Sequence, residues 1–308
     1  MDIAALKQRA AFLFLIRHFF ATRGVLEVET PLMSHAIGTD VNLSPLPVLF
    51  QNKVHYLQTS PEFAMKRLLC AGSGPIYQLC KAFRDDEFGP RHNPEFTMLE
   101  WYRPDWTLAQ LEQEVIDLIQ LLLKTTSTEH LLYQEAFLRY ADIDIATATT
   151  ADILGALRRF GVFIDETTDI EHEQAIDALF GFVVEPKLGQ NTLTILRGFP
   201  GSLAALANVD PETGHALRFE VYYHGIELAN AYQELCDPNK LRQRFAFDNQ
   251  IRAQQGKPVL PIDEHLLAAM THGLPDCSGV ALGIDRLFML ALDANNLDAV
   301  ISFRYPRA

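Results

Sequence analysis

The densest run of chemically able side chains is FRDDEFGPRHNPEFTMLEWY, Phe83 to Tyr102, which sets Arg84, Asp85, Asp86, Glu87, Arg91, His92 and Asn93 among apolar residues. Arginines beside acids suit a triphosphate with its metal ions. A guanidinium grips phosphate as a fork, and carboxylates hold Mg2+ or an adenine amine. Taken alone, a charged loop is more often simply solvated. A second run, SGVALGIDRLFML from Ser278 to Leu290, has Gly279 and Gly283 where a flat ligand can approach backbone. Asp285 and Arg286 then open an apolar helix, and the arginine could reach the other face of the same phosphate chain. An acid in a first helical turn is also ordinary. The G-x-x-x-x-G-K-[ST] phosphate loop is absent. A third run, GIELANAYQEL, offers Glu227 and Glu234 as ligands for Mg2+ or for a substrate ammonium. A regular strand would send residues seven apart to opposite faces, so convergence needs a bend near Asn230–Ala231.

These runs must be held by regular elements, and the chain supplies them. Thr107 with Gln110 is a capping box. Leu108, Leu111, Val115, Leu118, Ile119 and Leu122 then form one helical apolar stripe. Asp237 as N-cap and Pro238 at the first helical position open another helix, which stops before Gly256 and Pro258. Residues 4–23 read as a helix with Leu6, Leu13, Ile16 and Phe20 on its apolar side and Gly24 as its stop. Val25–Glu29 alternates as a short strand before Pro31. Further strand-like runs lie at 53–58, 74–79, 96–102, 192–196, 217–223 and 280–283. They arrive in adjacent pairs without regular helical crossovers. That predicts an α+β fold, a mostly antiparallel sheet flanked by helices, and not a doubly wound one. Residues 124–190 carry the weakest pattern. Arg158, Arg159 and Glu166 there read as a solvated helix face and its flank, and the stretch is a candidate insertion in one catalytic domain spanning 1–308.

Bulk composition narrows the class. At 308 residues and 48% hydrophobic content the chain can bury a full core. No apolar run is long enough to cross a bilayer, and Ala10–Ile16 runs on into Arg17 and His18 without a cleavage site, so a cytoplasmic location is expected. Cys70, Cys80, Cys236 and Cys277 form no C-x-x-C pair and read as reduced, mostly buried thiols. The net charge is −13 with no basic run. A large nucleic-acid footprint is therefore not expected.

Three weak signals combine when taken in order. RGVLEVETPLM (Arg23–Met33), FRDDEFGPRHNPEFTMLE and GVALGIDRL resemble motifs 1, 2 and 3 of class II aminoacyl-tRNA synthetases. RHNPEFTMLE, TSPEFAMKRLL (Thr59–Leu69) and IELANAYQEL resemble lysyl-tRNA synthetase in particular. The resemblance covers most of the chain and thins over 124–190. It implies the class II catalytic fold, ATP with Mg2+, and a homodimer built through motif 1. It also implies roles. Arg84 and Asp86 would hold the α-phosphate and adenine, with Asp85, Asn93, Phe96 and Gly283 at the nucleotide, and Arg286 would hold the γ-phosphate. Arg84 and Arg286 would be the catalytic pair. Glu227 and Leu228 would lie along ATP and its Mg2+, with Glu234 a second metal candidate. Ser60, Pro61, Glu62, Tyr102, Glu234 and Ala281 would form the amino-acid pocket, whose acids suit a lysine-like cation.

Three departures from the synthetase pattern matter. The helix leading into motif 1 starts almost at Met1, so an N-terminal anticodon-reading OB-fold is not expected. Asp85–Asp86 stands where Asn-Glu is typical, which shortens the carboxylate by one methylene, and Glu87 could serve instead. Ala281 replaces the glycine expected two residues before Gly283, and its methyl would crowd the usual α-amino position. Together these are similar to a paralogous family that lacks the anticodon domain and attaches β-lysine to a lysine of elongation factor P. By that resemblance the partners are elongation factor P and lysine or β-lysine, with tRNA and membrane not expected.

Overall fold

The strongest caps in the sequence start helices where they should. In the computed structural model, which describes residues 2–85, 88–125, 127–164 and 170–308, the Thr107 hydroxyl accepts from the Gln110 amide, and the Gln110 side chain accepts from the Thr107 amide. Asp237 caps its helix through the Asn239 and Lys240 amides. The described residues form two compact units.

The first unit comprises Met1–Lys124, Ala205–Asn208 and Ala231–Ala308. In chain order it opens with α1 (Ile3–Ala21), β1 (Leu26–Glu27), β2 (Met33–Ser34), β3 (Pro47–Phe50), β4 (Lys53–Leu57) and α2 (Glu62–Cys70). β5 (Ile76–Phe83), β6 (Glu95–Pro104) and α3 (Leu108–Leu123) follow. The second unit, Thr125–Ala204 and Val209–Asn230, holds β7 (Thr128–Leu132), α4 (Tyr133–Ala141), α5 (Thr150–Arg159), α6 (His172–Leu179), β8 (Leu193–Arg197) and β9 (Arg218–Tyr223). β10 (Ile226–Gln233) begins in the second unit and ends in the first, which then closes with α7 (Pro238–Gln254), α8 (Glu264–Met270), β11 (Cys277–Gly283) and α9 (Ile284–Ala291).

The expected mostly antiparallel α+β architecture is what folds. In the first unit the strand order is β1-β5-β6-β11-β10, with β5–β6 and β6–β11 antiparallel and β1–β5 parallel. In the second it is β10-β9-β8-β7, with β7–β8 parallel. β2, β4 and β3 make a separate antiparallel sheet. Residues 124–190 fall almost wholly in the second unit, which has its own core around Phe137, Leu157, Val184, Leu196 and Tyr222. Arg158 and Arg159 are exposed, as expected. Glu166 lies outside the described residues.

One expectation is corrected. The apolar side of α1 is not the Leu6–Leu13–Ile16–Phe20 stripe. Ala5, Phe12, Ile16, Phe19 and Phe20 are buried, while Leu6 is 46% and Phe14 67% exposed. This helix is apolar on more than one side, so the sequence pattern did not single out the face that packs. Phe20 stacks on Tyr77 at 4.5 Å and meets Trp101 edge-on at 5.2 Å, which anchors α1 to β5 and β6.

Candidate active site

Strand β6 sets the frame. Side chains alternate across a strand, so Phe96, Met98, Glu100 and Tyr102 share one face. Cross-strand partners share that face too: Ala82 opposite Phe96, Gly279 opposite Tyr102, and Ala281 opposite Glu100. At about 3.3 Å per residue, Phe96 and Glu100 lie roughly 13 Å apart along one strand.

The Tyr102 end is a buried acidic pocket. Glu100 accepts from the Tyr102 hydroxyl at 2.6 Å and from the Ser60 hydroxyl at 2.7 Å. Ser60 also accepts the Glu62 amide at 3.0 Å, just before α2. Pro61 is the N-cap of α2 and Glu62 its first residue. One turn on, the Lys66 ammonium lies 2.5 Å from Glu62 Oε1 and 2.7 Å from Glu234 Oε2. Lys66 and Glu234 are each 1% exposed. Burial alone would lower the Lys66 pKa, but Glu234 and Glu62 beside it carry it well above the ordinary value. Glu100 is pushed up to about 8, chiefly by burial and then by the charge of Glu62. Burial likewise raises Glu234 to about 7, although Lys66 opposes the shift. Lys66 thus pairs with Glu62 and Glu234 while Glu100 is held by two hydroxyls, so the pocket has more carboxyl groups than ammonium charge and can give up protons to an entering cation.

Gly279 forms the floor. A Cβ there would sit 2.3 Å from Tyr102 Cε1 and 2.5 Å from Glu234 Oε1. The methyl of Ala281 stands instead beside Glu100, two residues further along β11.

The other end gathers the arginines. Arg84 follows β5 directly, and its guanidinium carbon is 5.1 Å from the Phe96 ring centroid. Asp85 donates its amide to the Ser44 carbonyl at 2.7 Å. Buried Asn93 donates to the Glu95 carbonyl at 2.6 Å. Arg286, in the first turn of α9 just past Gly283, has an Nη 2.6 Å from His92 Nε2. Asp285 beside it is structural: it pairs with Arg9 at 2.6 Å and accepts the Thr97 amide at 2.6 Å, tying α9 to β6. Asp86 and Glu87 lie outside the described residues.

The family follows from a comparison that covers nearly the whole chain. The family model described as tRNA synthetases class II (D, K and N) matches residues 3–307. The chain belongs to that family. It is similar, at 50% identity over 313 residues, to the elongation factor P–(R)-beta-lysine ligase of Edwardsiella ictaluri, covering 99% of this chain and 96% of that protein. It is also 48% identical to the protein of that name from Pectobacterium carotovorum, and 49% identical to the one from Salmonella typhi, each over 100% of this chain and 97% of the relative. In this class II chain, motif 2 is the β5–β6 hairpin and motif 3 is β11 with α9. The β6–β11 pairing sets them side by side.

In the second unit, Glu227 is partly buried and Leu228 buried on β10. Sequence reasoning missed their neighbour Glu220 on β9. Glu220 accepts from Tyr222 at 2.5 Å and pairs with Arg218. Burial raises its pKa; Arg218 opposes that, and the charge of Glu227 adds to it. Arg218, Glu220 and Tyr222 alternate along β9, a pattern visible in R-F-E-V-Y. Among the described residues no group of three or more His, Cys, Asp or Glu is arranged to hold a metal ion. Glu220 and Glu227 are close enough for their charges to act on one another, and carboxylate oxygens are the donor type that Mg2+ takes. Sequence reasoning also missed Glu100 and Lys66. The signal was there, in the alternation E-W-Y on β6 and the Glu62–Lys66 spacing on α2. The four cysteines are free thiols. Burial pushes Cys236 up to about 11 and Cys80 to about 12, which leaves them inert.

Proposed function

We propose that this chain is an ATP-dependent, AMP-forming ligase that activates (R)-β-lysine, or lysine, and joins it to a lysine side chain of elongation factor P. The observation that carries this is the acidic pocket of Glu62, Glu100 and Glu234 on the face of β6 whose other end presents Phe96 and Arg84. A diamino acid brings two ammonium groups to such a pocket, and its carboxylate is then aimed along the strand. The names of relatives that are about half identical over the full chain support the β-lysine and elongation factor P assignments.

The chemistry needs no general base. A carboxylate oxygen of the amino acid attacks the α-phosphorus of ATP in line, the bond to the β-phosphate oxygen breaks, and pyrophosphate leaves. Arg84 neutralises charge at the α-phosphate and Arg286 at the γ-phosphate. Phe96 offers its ring to adenine, and Asn93 keeps the loop beneath it in place. Glu227, with Glu220 beside it, would hold Mg2+. In the second step the acceptor lysine amine attacks the acyl carbon, the bond to AMP breaks, and an amide forms with loss of a proton. Catalysis is positioning and charge neutralisation throughout.

A homodimer through Arg23–Met33 is part of the same reading. Leu26, Leu32 and Met33 in that segment, with Phe14 and Leu15 on α1, are large apolar residues left exposed. A cytoplasmic location agrees with the finding that, among the described residues, no helix is long and apolar enough to cross a membrane. The net charge of −13 favours a protein acceptor over tRNA.

The test has two steps. ATP–pyrophosphate exchange is measured with α-lysine and β-lysine side by side. Elongation factor P is then weighed by mass spectrometry, alongside radiolabel transfer to tRNA. Exchange with either amino acid and a mass gain on one lysine are expected. Efficient tRNA charging with unmodified elongation factor P would replace this reading with a lysyl-tRNA synthetase.

A further inference from the structure

The segment 297–305 grips the loop 88–93 along most of its length. The Leu297 amide donates to the Pro90 carbonyl at 2.9 Å. The Arg304 guanidinium donates to the Gly89 carbonyl and, at 3.0 Å, to the His92 carbonyl. It also lies 4.9 Å from the centroid of the Phe88 ring, and Tyr305 meets that ring edge-on at 5.6 Å. The Tyr305 amide donates to Asn93 Oδ1 at 3.2 Å. The loop is otherwise closed by the Gly89–His92 pair, with amide–carbonyl distances of 3.1 and 3.3 Å. On its other side it meets Arg286, through His92 Nε2 at 2.6 Å and the Arg91 carbonyl at 3.4 Å.

Arg304 is only 7% exposed. A guanidinium taken out of water needs fixed partners, and here two carbonyls of one turn and a ring provide them, with Asp298 at 3.6 Å. Both carbonyls are held by one nitrogen, Nη2, while the planar guanidinium lies over the Phe88 ring, a stacking that a compact lysine ammonium reproduces only in part. His92 is therefore held at its backbone by Arg304 and presents its ring to Arg286.

We infer that Arg304 is a positioning residue for the nucleotide: by clamping the Gly89 and His92 carbonyls it fixes the loop from which the His92 ring orients Arg286. This rests on the proposed reading, in which Arg286 and the loop serve ATP. The contacts of Arg304 among the described residues are with the loop, Phe88 and Asp298 and not with the acidic pocket, so its loss loosens the ATP end and leaves the amino-acid end intact.

The experiment compares the full chain with its Arg304→Ala and Arg304→Lys variants in amino-acid-stimulated ATP–pyrophosphate exchange, titrating ATP and the amino acid separately. Misplacement of a binding group predicts that Arg304→Ala raises the KM for ATP about ten-fold or more. The KM for lysine or β-lysine stays within about two-fold, and Arg304→Lys falls between. If Arg304→Ala is insoluble, Arg304→Lys carries the same readout. An unchanged KM for ATP, or an equal rise in both KM values, would overturn the inference, because general loosening moves both. No exchange in the unmodified chain would instead sink the proposed reaction, and the role of Arg304 with it.

Discussion

Gly279 stands directly opposite Tyr102 across the β11–β6 pair, and a methyl on Gly279 would overlap the Tyr102 ring at 2.3 Å. The glycine is needed for close approach of a side chain. Gly279→Ala is expected to push Tyr102 and Glu234 out of place. Overpacking of this kind costs about 1–3 kcal/mol. The KM for the amino acid should rise about ten-fold or more, with a smaller change for ATP. Steady-state exchange kinetics check this, and an unaltered KM would show that the pocket yields at no cost.

Ala281 faces Glu100 on the neighbouring pair. Ala281→Gly removes the methyl beside that carboxylate. It should shift preference toward α-lysine by the ~1–3 kcal/mol that one methylene in a pocket supplies. The ratio of activation rates for α- and β-lysine is the measurement. An unchanged ratio would detach β-lysine selectivity from this position.

Acidity in the pocket predicts a pH dependence with a definite sign. Glu100 titrates at about 8 and Glu234 at about 7, each raised chiefly by burial. Near neutral pH the empty pocket therefore retains protons that an entering diammonium must expel. Affinity for the amino acid should rise between about pH 6 and pH 8.5, with proton release seen by calorimetry in buffers of different ionisation enthalpy. The stability of the empty protein runs the other way. Carboxyls raised in the folded state bind protons more tightly there, so stability is lost as pH climbs from the ordinary value of 4.5 through about 8. Urea midpoints at pH 5 and pH 8.5, with and without amino acid, would expose a wrong sign.

Lys66 is the internal counter-charge. Lys66→Met leaves Glu62 and Glu234 facing each other without it. Breaking a buried pair in this way costs about 3–5 kcal/mol. Adding Glu234→Gln should restore part of the loss, and strict additivity in the double-mutant cycle would deny the coupling.

Glu220→Gln keeps shape while removing charge beside Glu227. If the pair holds Mg2+, the Mg2+ concentration for half-maximal exchange should rise about 10–100-fold. A Mg2+ titration at saturating ATP decides it.

Much of this site was legible in the sequence because local chemistry wrote it there. Thr107 and Asp237 cap the helices they were expected to cap, and β5, β6 and β11 emerge from alternating runs. Arg84 was legible in the dense polar cluster that follows β5, and Arg286 in the helix that opens after Gly283. Glu100 was overlooked because a carboxylate inside a hydrophobic strand reads as an isolated oddity until Ser60 and Tyr102 are seen to bond it. The Glu62–Lys66 spacing reads as an ordinary helix-surface pair, and only burial makes it part of a pocket. The Thr149–Asp152 capping box that opens α5 was present and unused. Arg304 had no local signal, since its partners lie 212 and 215 residues away.

The shared face of β6 has a further consequence. The distance between the two reactants is written as a count of residues, because Phe96 marks one end and Tyr102 the other on a single strand. Strand register is discrete, so a one-residue insertion between them would turn one end of the ruler to the opposite side of the sheet while leaving the other in place. Evolution or design can exchange side chains at either end one at a time, but cannot adjust the gap between them by less than a full alternation. Within this fold, new substrates are therefore reached by changing what stands at each mark while the spacing between marks stays fixed.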